Sequence, residues 1–238
     1  MKLLAIDCTA APASVAVVED GKTLSAAFTN VGLTHSQTLI PMLDSVLKNA
    51  QLSKDDLDAY AINAGPGSFT GVRIGVAALK GYTLLNDACI YPVSTLESMA
   101  YNYRGVKDCI VVSAMDARVR QVYTAAFEIQ GDTVTRLSPD AALRLEELEE
   151  QLKTLKKEVV FVGDGASLCY NEFQTTFPNV HLAPERLRYQ NAVSVAACAE
   201  QHKAAGEEPV TAEEVLPVYL RAPQAERELK ARQKETAQ

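Results

Sequence analysis

A glycine-rich segment with the sequence AGPGSFTGVRIG occupies residues 64–75. Four glycines fall within eleven residues there, so the backbone can turn sharply and carries little side-chain bulk. A strand is predicted over residues 59–64 and a helix over residues 72–85, which Ser68 or Thr70 can cap. Free backbone N–H groups at a helix start bind anions. The segment is therefore a candidate phosphate site, with close packing against another protein surface or its own lobe as the alternative.

Two aspartates occupy equivalent places in the chain, and the first of them, Asp7, is a candidate cation ligand. Asp7 follows an apolar strand predicted over residues 3–6, and Asp116 follows another predicted over residues 109–114. A carboxylate at a strand end can hold a cation, or it can accept hydrogen bonds from its own turn. Residues 8–11 read CTAA, and their side chains fill the space that a phosphate would approach. Asp7 is therefore predicted not to grip a nucleotide.

The histidines and cysteines are too widely spread for a recognised metal motif. They are His35, His181 and His202 with Cys8, Cys89, Cys109, Cys169 and Cys198. Neither C-x-x-C nor H-E-x-x-H occurs, so we expect buried free thiols and no metal site. His35 has Leu39 four residues later, where a second ligand on the same helix face would stand. Ser68 lies in G-x-S-x-x-G rather than in the G-x-S-x-G of a nucleophile elbow, and no protease activity is expected.

The composition is that of a globular protein with one large domain or two small ones. The chain has 238 residues, of which 47% are hydrophobic, a formal net charge of -7 and a pI of about 5.1. Such an acidic chain is not expected to bind nucleic acid without a partner. Apolar runs stay below the roughly 18 residues that span a bilayer, and Asp7 comes too early for a signal peptide. We expect a cytoplasmic protein that does not contact a membrane.

The order of the predicted elements occurs twice. Each copy has a strand, an acidic turn, a strand, a glycine turn and a returning strand, at residues 3–28 and 109–137. A helix, a strand with a glycine turn and a second helix follow, at residues 36–85 and 145–173. Strands that alternate with helices predict mixed sheets covered by helices. The repetition predicts two lobes related by duplication.

Several motifs resemble the TsaB (YeaZ) family, a branch of the superfamily of actin, Hsp70 chaperones and sugar kinases. The matching segments are residues 4–7, 34–36, 64–75, 80–81, 116–118 and 217–221. The glycine-rich segment is the most specific of them, and the resemblance covers residues 2–222. It implies a duplicated two-lobe α/β fold of the actin, Hsp70 and sugar-kinase type. We expect an N-terminal lobe at residues 1–107 that carries a partner interface, a C-terminal lobe at 108–222, and a charged, disordered tail at 223–238.

The resemblance implies a function in making threonylcarbamoyladenosine (t6A) on the adenosine beside the anticodon of transfer RNA. In that family the subunit pairs with a catalytic paralogue, TsaD, which holds the metal, and a small ATPase, TsaE, joins them. This chain is accordingly expected to be a non-catalytic subunit that stabilises a TsaD-like paralogue and helps to recruit a TsaE-like ATPase. No cofactor is expected on the chain alone; ATP or ADP with Mg would bind only at the junction of subunits. Contact with tRNA is expected only through the complex, and a homodimer is expected when the chain is alone.

The residues predicted for the partner interface lie on two helix faces: Leu39, Met42, Leu43, Val46, Gly71, Gly75, Ala78 and Tyr82. Glycines within a helix indicate that something packs very close, either the sheet of the same lobe or a partner, and the resemblance favours a partner. The residues predicted for a site at the subunit junction are Asp7, His35, Gly65, Pro66, Gly67, Ser68, Phe69, Thr70, Arg73 and Arg118. Arg73 lies near a helix start, where the dipole disfavours a cation. An anionic partner is therefore predicted for it, either a carboxylate of its own lobe or a group at the junction.

Two other functions are consistent with the sequence. The duplicated lobes and the GDG turn at residues 163–165 would suit an autonomous ATP-dependent kinase of the sugar-kinase and acetate-kinase superfamily. A self-associating structural protein, whose homodimer is the working form, is the other alternative. Nucleotide-hydrolysing members of the superfamily usually place a glycine beside the first-strand acid, whereas Cys8 follows Asp7 here. The non-catalytic subunit is the favoured interpretation.

Overall fold

The computed structural model describes residues 1–32, 34–84 and 88–221. The predicted tail at residues 223–238, and Leu85 at the end of a predicted helix, lie outside the described residues. None of the helices in the described ranges is long and apolar enough to cross a bilayer. The first elements are β1 (Lys2–Asp7), β2 (Ala13–Glu19), β3 (Lys22–Thr29), α1 (His35–Ala50), a 3₁₀ turn (Lys54–Asp56), β4 (Ala59–Gly65), α2 (Phe69–Tyr82), β5 (Ile90–Ser94) and α3 (Thr95–Ala100).

The remaining elements repeat this order with small additions. They are a 3₁₀ turn (Tyr101–Tyr103), β6 (Cys109–Asp116), β7 (Gln121–Gln130), β8 (Thr133–Arg136), β9 (Ala141–Arg144), α4 (Leu145–Leu152), β10 (Val159–Val162), α5 (Ala166–Phe173), β11 (Val180–Leu182), α6 (Glu185–Arg188) and α7 (Ala192–Ala204). Strands β5, β9 and β11 and helix α6 were not predicted from the sequence. All four elements are no longer than five residues, too short for a hydrophobic period to show.

Two mixed sheets with the same topology form the two lobes. The first sheet has the order β3-β2-β1-β4-β5, and the second has β11-β10-β6-β7-β8, with β9 paired to β7. Strand β1 is antiparallel to β2 and parallel to β4, and β6 has the same relations to β7 and β10. The predicted duplication is therefore confirmed strand by strand.

The central strand of each sheet is buried on both faces. In β1, Leu4 and Ile6 point into a core formed with α1 and α2, while Leu3 and Ala5 point into a second core on the opposite face. Helix α1 contributes Leu39, Leu43, Val46 and Leu47 to the first of these cores. These positions repeat at helical spacing, which explains why the sequence forms a helix with one apolar face.

The two lobes exchange helices. Helix α7, which follows the last strand of the second sheet, packs against the first sheet through Ala192, Val195 and Ala199. Helix α3, which follows the last strand of the first sheet, packs against the second through Leu96 and Met99. Each sheet therefore buries its inner face only when the other half of the chain is present.

Arg136 of β8 joins the second sheet to α3. Its guanidinium donates to Glu97 Oε2 at 2.7 Å and to Asp140 Oδ1 at 2.6 Å, and it lies 4.7 Å from the centre of the Phe127 ring. Burial acts to raise the pKa of Glu97, but hydrogen bonds from His202 and Arg136 outweigh it and lower that pKa to about 2. The carboxylate is therefore held ionised at the junction of the lobes.

The glycine face of α2 packs within its own lobe. A Cβ atom on Gly71 would lie 2.2 Å from the carbonyl oxygen of Cys8, and one on Gly75 would lie 2.6 Å from Cys8 Sγ. The structure thus places these glycines against the end of β1, the alternative to the partner contact predicted for them. A flat strand end can approach α2 only where side chains are missing.

Other residues predicted for the partner interface belong to the core as well. Leu39, Leu43 and Val46 are fully buried beneath α1, so they are corrected to core residues. Met42, Ala78 and Tyr82 are half-buried against the same core. Helical spacing identifies an apolar face but does not distinguish a sheet from a partner as the surface that covers it.

The contact between Gly75 and Cys8 predicts a stability coupling. Gly75→Ala is expected to lower the free energy of unfolding by about 1–3 kcal/mol, because the added methyl overlaps the sulfur. In a Cys8→Ala background the same substitution should cost less, with a coupling of about 0.5–3 kcal/mol. Urea unfolding of the four proteins measures both values.

Gly81→Ala is the matched control, because a Cβ atom there meets nothing within 4 Å. It should leave stability unchanged or raise it by up to ~1 kcal/mol through helix propensity. Equal losses at positions 75 and 81, or a loss at 75 that is independent of Cys8, would contradict the packing described.

The bridge from β8 to α3 predicts a second stability difference. Arg136→Gln should lower the free energy of unfolding by about 1–3 kcal/mol, because it removes charged hydrogen bonds from the partly buried Glu97. Arg120→Gln is the control: Arg120 also pairs with a glutamate, Glu172 at 2.6 Å, but on the open surface. Thermal and urea unfolding should show almost no effect of the control, and similar effects of both would refute the role of the bridge.

Candidate functional site

A cleft of about 770 Å³ is lined by residues from both lobes. The turn after β1 and the glycine-rich loop before α2 line it on the first lobe, and the end of β6 with Asp164 lines it on the second. Residues 218–221, from the last part of the described chain, also border it. The structure therefore brings the predicted junction residues His35, Pro66, Ser68 and Arg118 to one cleft, together with neighbouring loop residues.

Asp7 is fully buried and does not face the cleft. Its Oδ1 accepts hydrogen bonds from Thr9 Oγ1 at 2.7 Å and from Asn63 Nδ2 at 2.8 Å, and its Oδ2 receives none from the described residues. Burial raises the pKa of Asp7, while the bonds from Asn63 and Thr9 oppose that rise. The carboxyl group thus braces its own turn, the alternative to cation binding weighed from the sequence. Asn63 was missed there because it lies in an otherwise apolar strand.

The glycine-rich loop is closed by the protein's own backbone. Gly65 has a φ of +124°, and a Cβ atom on it would lie 2.3 Å from the carbonyl oxygen of Val218. A Cβ atom on Gly67 would lie 2.4 Å from the carbonyl oxygen of Thr9, to which Ser68 N donates at 2.6 Å. Ser68 Oγ accepts the N–H of Gly71 at 3.2 Å, which confirms Ser68 as the helix cap. These atoms occupy part of the space and donors that a phosphate would use.

The second lobe also packs a glycine against a backbone carbonyl, but its aspartates Asp116 and Asp164 are exposed to solvent. Gly163 has a φ of +100°, and a Cβ atom on it would lie 2.1 Å from the carbonyl oxygen of Ala114. Asp164 Oδ1 accepts the backbone N–H of Asp116 at 3.2 Å, and both side chains border the cleft. The acid at the end of β6 therefore differs from its counterpart Asp7, since it is exposed and available to a ligand.

His35 is held by a backbone carbonyl. Its Nε2 donates to the carbonyl oxygen of Ala10 at 2.7 Å, and its Nδ1 is buried with no hydrogen bond from the described residues. The imidazole at the start of α1 is therefore bonded to the backbone. The bond fixes the turn after β1 to the start of α1, on the wall of the cleft.

Arg73 has aromatic neighbours instead of the carboxylate predicted for it. Its guanidinium lies 3.7 Å from the centre of the Phe69 ring, and its Nε donates to the Tyr219 hydroxyl at 2.8 Å. The two rings are stacked 4.6 Å apart. No carboxylate of the described ranges pairs with Arg73, so the prediction of a carboxylate within its own lobe is wrong there. The π-faces of the rings stabilise the cation in place of an anion.

The segment at residues 215–221 ties the two lobes together across the cleft. Val218 N donates to the carbonyl oxygen of Ala64 at 2.7 Å, and Arg221 Nη1 donates to the carbonyl oxygen of Ala117 at 2.7 Å. Val215 is fully buried in the core of the first lobe. Residues 217–221 were among the motifs that resemble the family, but the contact of this segment with the glycine-rich loop spans about 150 residues and has no local signal in the sequence.

The rim of the cleft includes a strained turn. Arg118, Val119 and Arg120 have consecutive φ values of +65°, +55° and +53°. A β-branched residue rarely adopts this left-handed conformation, and Val119 is 85% exposed. The turn projects Arg118 beside Asp116, whose Oδ1 accepts the Arg118 N–H at 2.7 Å. It presents the positive side chain of Arg118 to the cleft, while Val119 is exposed beside it.

Comparisons with known proteins identify the family. A family model described as TsaD, tRNA N6-adenosine threonylcarbamoyltransferase, matches residues 29–229. The tRNA threonylcarbamoyladenosine biosynthesis protein TsaB of Escherichia coli K12 is 36% identical over 167 residues, which are 69% of this chain and 72% of that protein.

Solved structures agree with the sequence match. A Pseudomonas aeruginosa protein, described as uncharacterized with similarity to peptidase YEAZ, superposes with a TM-score of 0.81 at 30% identity. The match covers 92% of this chain and 99% of that one. The ethanolamine utilization protein EutJ of Carboxydothermus hydrogenoformans shares the fold at a TM-score of 0.51 and 13% identity, over 83% of this chain and 90% of that one. The predicted fold class is confirmed, and the chain belongs to the TsaB (YeaZ) family.

Proposed function

We propose that this chain is a non-catalytic subunit of the machinery that makes threonylcarbamoyladenosine in tRNA. It binds and stabilises a TsaD-like catalytic paralogue and helps to recruit a TsaE-like ATPase. The family membership and the names of its relatives support the pathway. The closed glycine-rich loop is the observation that carries the non-catalytic role.

The closed loop argues against an autonomous kinase. Phosphate binding at a helix start needs free N–H groups and open space above them. Here Thr9 takes the N–H of Ser68, Ser68 takes the N–H of Gly71, and Cys8 and Thr9 lie against the glycines. Asp7 is turned into the core and is bonded to its neighbours. A nucleotide would have to displace these contacts in a chain that is alone.

The same contacts argue against peptide hydrolysis by Ser68. Its hydroxyl accepts a helix N–H, and none of the three histidines, all of them within the described ranges, is hydrogen-bonded to it. A serine nucleophile needs a base within hydrogen-bond reach. The similarity to a protein described with the word peptidase therefore carries no catalytic assignment here.

The outer surface of α1 and α2 is proposed as the contact with the paralogue. This surface, called the α1/α2 surface, comprises Ile40, Ile74, Ala77, Ala78, Gly81 and Tyr82, which are exposed or half-buried. Its small side chains allow another helix pair to approach closely, and Ile40 is 42% exposed. A specific interface buries at least ~1,000 Å² in total, which two pairs of helices packed side by side can supply. An apolar surface of this kind also explains why a homodimer is expected in the absence of the paralogue.

Nucleotide and Mg are proposed to bind only where the paralogue completes the cleft. On this chain the exposed carboxylates Asp116 and Asp164 and the cation Arg118 border the cleft. Carboxylate oxygens are the ligands that Mg²⁺ prefers, and a guanidinium binds phosphate. The first lobe offers no matching open loop, so the remaining ligands would come from the partner.

A reconstitution tests the function as a whole. Purified chain, TsaD-like paralogue, TsaE-like ATPase and threonylcarbamoyl-AMP should modify tRNA together, and omission of this chain should reduce the rate at least about tenfold. The chain alone should not bind Mg-ATP at millimolar concentration in isothermal titration. Modification at full rate without the chain, or ATP turnover by the chain alone, would overturn the proposal.

A single substitution tests the surface. Ala77→Arg places a long cation on the α1/α2 surface and is expected to weaken binding to the paralogue by at least about tenfold, because the apolar contact would have to desolvate a charge. Ala77 is exposed, so folding should not change. Calorimetric titration of the paralogue measures the effect.

Ala204→Arg is the matched control, since it makes the same change at an exposed position of α7, away from this surface. It should bind the paralogue with the affinity of the unchanged protein. If Ala77→Arg bound equally well, the assignment of the surface would fail while the pathway role would stand.

A further inference from the structure

Three side chains of different chemistry converge where α3 meets α7. Glu97 lies on α3, and Cys198 and His202 lie four residues apart on one face of α7. Their ligand atoms, Glu97 Oε1, Cys198 Sγ and His202 Nε2, all lie within 4.8 Å of one another. We call this group the α3/α7 cluster. Glu97 is distant in sequence from the other two, so no motif reveals it.

The spacing of these atoms matches that of ligands around zinc. Sγ lies 3.6 Å from Nε2, and Nε2 lies 3.0 Å from Oε1. Ligands that surround zinc tetrahedrally at about 2.0–2.3 Å are about 3.3–3.7 Å apart. The first of these distances already fits such a shell, the second is a few tenths of an ångström too short, and the distance from Sγ to Oε1 lies within 4.8 Å, so small movements of the side chains would bring the three atoms around one ion.

The outer contacts of the cluster also suit a metal. Glu207 Oε2 lies 3.1 Å from His202 Nδ1, so it fixes the ring with Nε2 turned toward the cluster. Arg136 Nη2 donates to Glu97 Oε2 at 2.7 Å, which leaves Oε1 to face the cluster. A carboxylate behind a ligating histidine and a donor behind a ligating carboxylate are the usual supports of protein zinc sites.

The charges around the cluster favour a cation. Three carboxylates, of Glu97, Glu207 and Asp140, lie around the cluster. Of the described side chains, Arg136 is the one permanent cation that pairs with them, so two negative charges are in excess. The side chains of Glu97 and His202 are 18% and 17% exposed, which gives an ion a path from solvent. Cys198 is fully buried behind them and would be the innermost ligand.

We propose that Cys198, His202 and Glu97 bind one zinc ion, with a water molecule as the fourth ligand. Binding releases the thiol proton of Cys198 to solvent, and neutral His202 carries its one proton on Nδ1, facing Glu207, so that sulfur, nitrogen and oxygen each form a bond to zinc. The ion replaces the direct hydrogen bond between His202 and Glu97. Because α3 packs on the second sheet and α7 on the first, the ion joins the two lobes. This site is independent of the proposed contact with the paralogue.

Cobalt is the probe, because it occupies zinc sites and absorbs light. One equivalent of Co²⁺ added to the metal-free full chain should produce a thiolate-to-cobalt band in the near ultraviolet and intense visible bands of tetrahedral cobalt. Added zinc should abolish both. Zinc should also raise the midpoint of thermal unfolding, and its binding should release the thiol proton of Cys198.

Substitutions identify the ligands. Cys198→Ala and His202→Gln should lose the cobalt bands at one equivalent, and Glu207→Gln should weaken cobalt binding by about 10–100-fold. Cys89→Ala is the control, because Cys89 is the exposed cysteine of the described ranges and would be the source of adventitious binding. The control should keep the full spectrum.

The proposal is overturned if one equivalent of cobalt gives no thiolate band, or if the band survives Cys198→Ala and disappears in Cys89→Ala. If circular dichroism shows that a substituted chain does not fold, X-ray absorption spectroscopy of the zinc-loaded natural chain identifies the atoms bound to zinc instead. One sulfur neighbour with nitrogen and oxygen neighbours supports the site. A zinc shell without sulfur refutes it.

Discussion

The close approach of the turn after β1 to the glycine-rich loop is the constraint on which this structure depends. The carbonyl oxygens of Cys8 and Thr9 occupy the places where side chains at residues 71 and 67 would be. This contact brings α2 onto the sheet, closes the helix start with Ser68, and turns Asp7 inward toward Asn63. Glycines allow this packing. The same contacts occupy the backbone N–H groups of Ser68 and Gly71, which could otherwise bind a phosphate. One local contact thus explains how α2 packs on the sheet and supports the proposal that this lobe does not hold a nucleotide alone.

Duplication gives the two lobes the same backbone but different surfaces at the cleft. Gly65 and Gly163 both have positive φ, and both lie against a backbone carbonyl. Their neighbours differ, since Pro66 follows the first glycine and Asp164 follows the second. The first lobe therefore presents a closed, uncharged loop, whereas the second presents two carboxylates and Arg118. This difference supports the proposal that a second protein completes the cleft.

The sequence predicted the local features of this fold well and the distant ones poorly. Most of the strands, the helices α1, α2, α4 and α5, the cap at Ser68 and the duplication follow from the spacing of apolar residues, the turn residues and the order of the elements. What covers each helix face does not follow, because an apolar stripe fits a sheet as well as a partner. For Gly71 and Gly75 both neighbours were considered, and the structure shows the turn of the same lobe against them. Arg73 was expected to need an anion, since a helix start disfavours a cation, but stacked rings of Phe69 and Tyr219 stabilise it instead. Tyr219 is 146 residues from Arg73 in the chain.

The exchange of helices between the lobes is another contact between distant parts of the chain, and it affects both cores. A helix that leaves one sheet and covers the other makes the two cores parts of one folding unit, because neither sheet can bury its inner face alone. Polar groups placed at that crossing contribute to both lobes at once. Glu97 is bonded there to Arg136 of the second sheet and to His202 of the helix on the first. The zinc ion proposed at this point, or a substitution there, would therefore affect the stability of both lobes, although it lies outside the cleft lining.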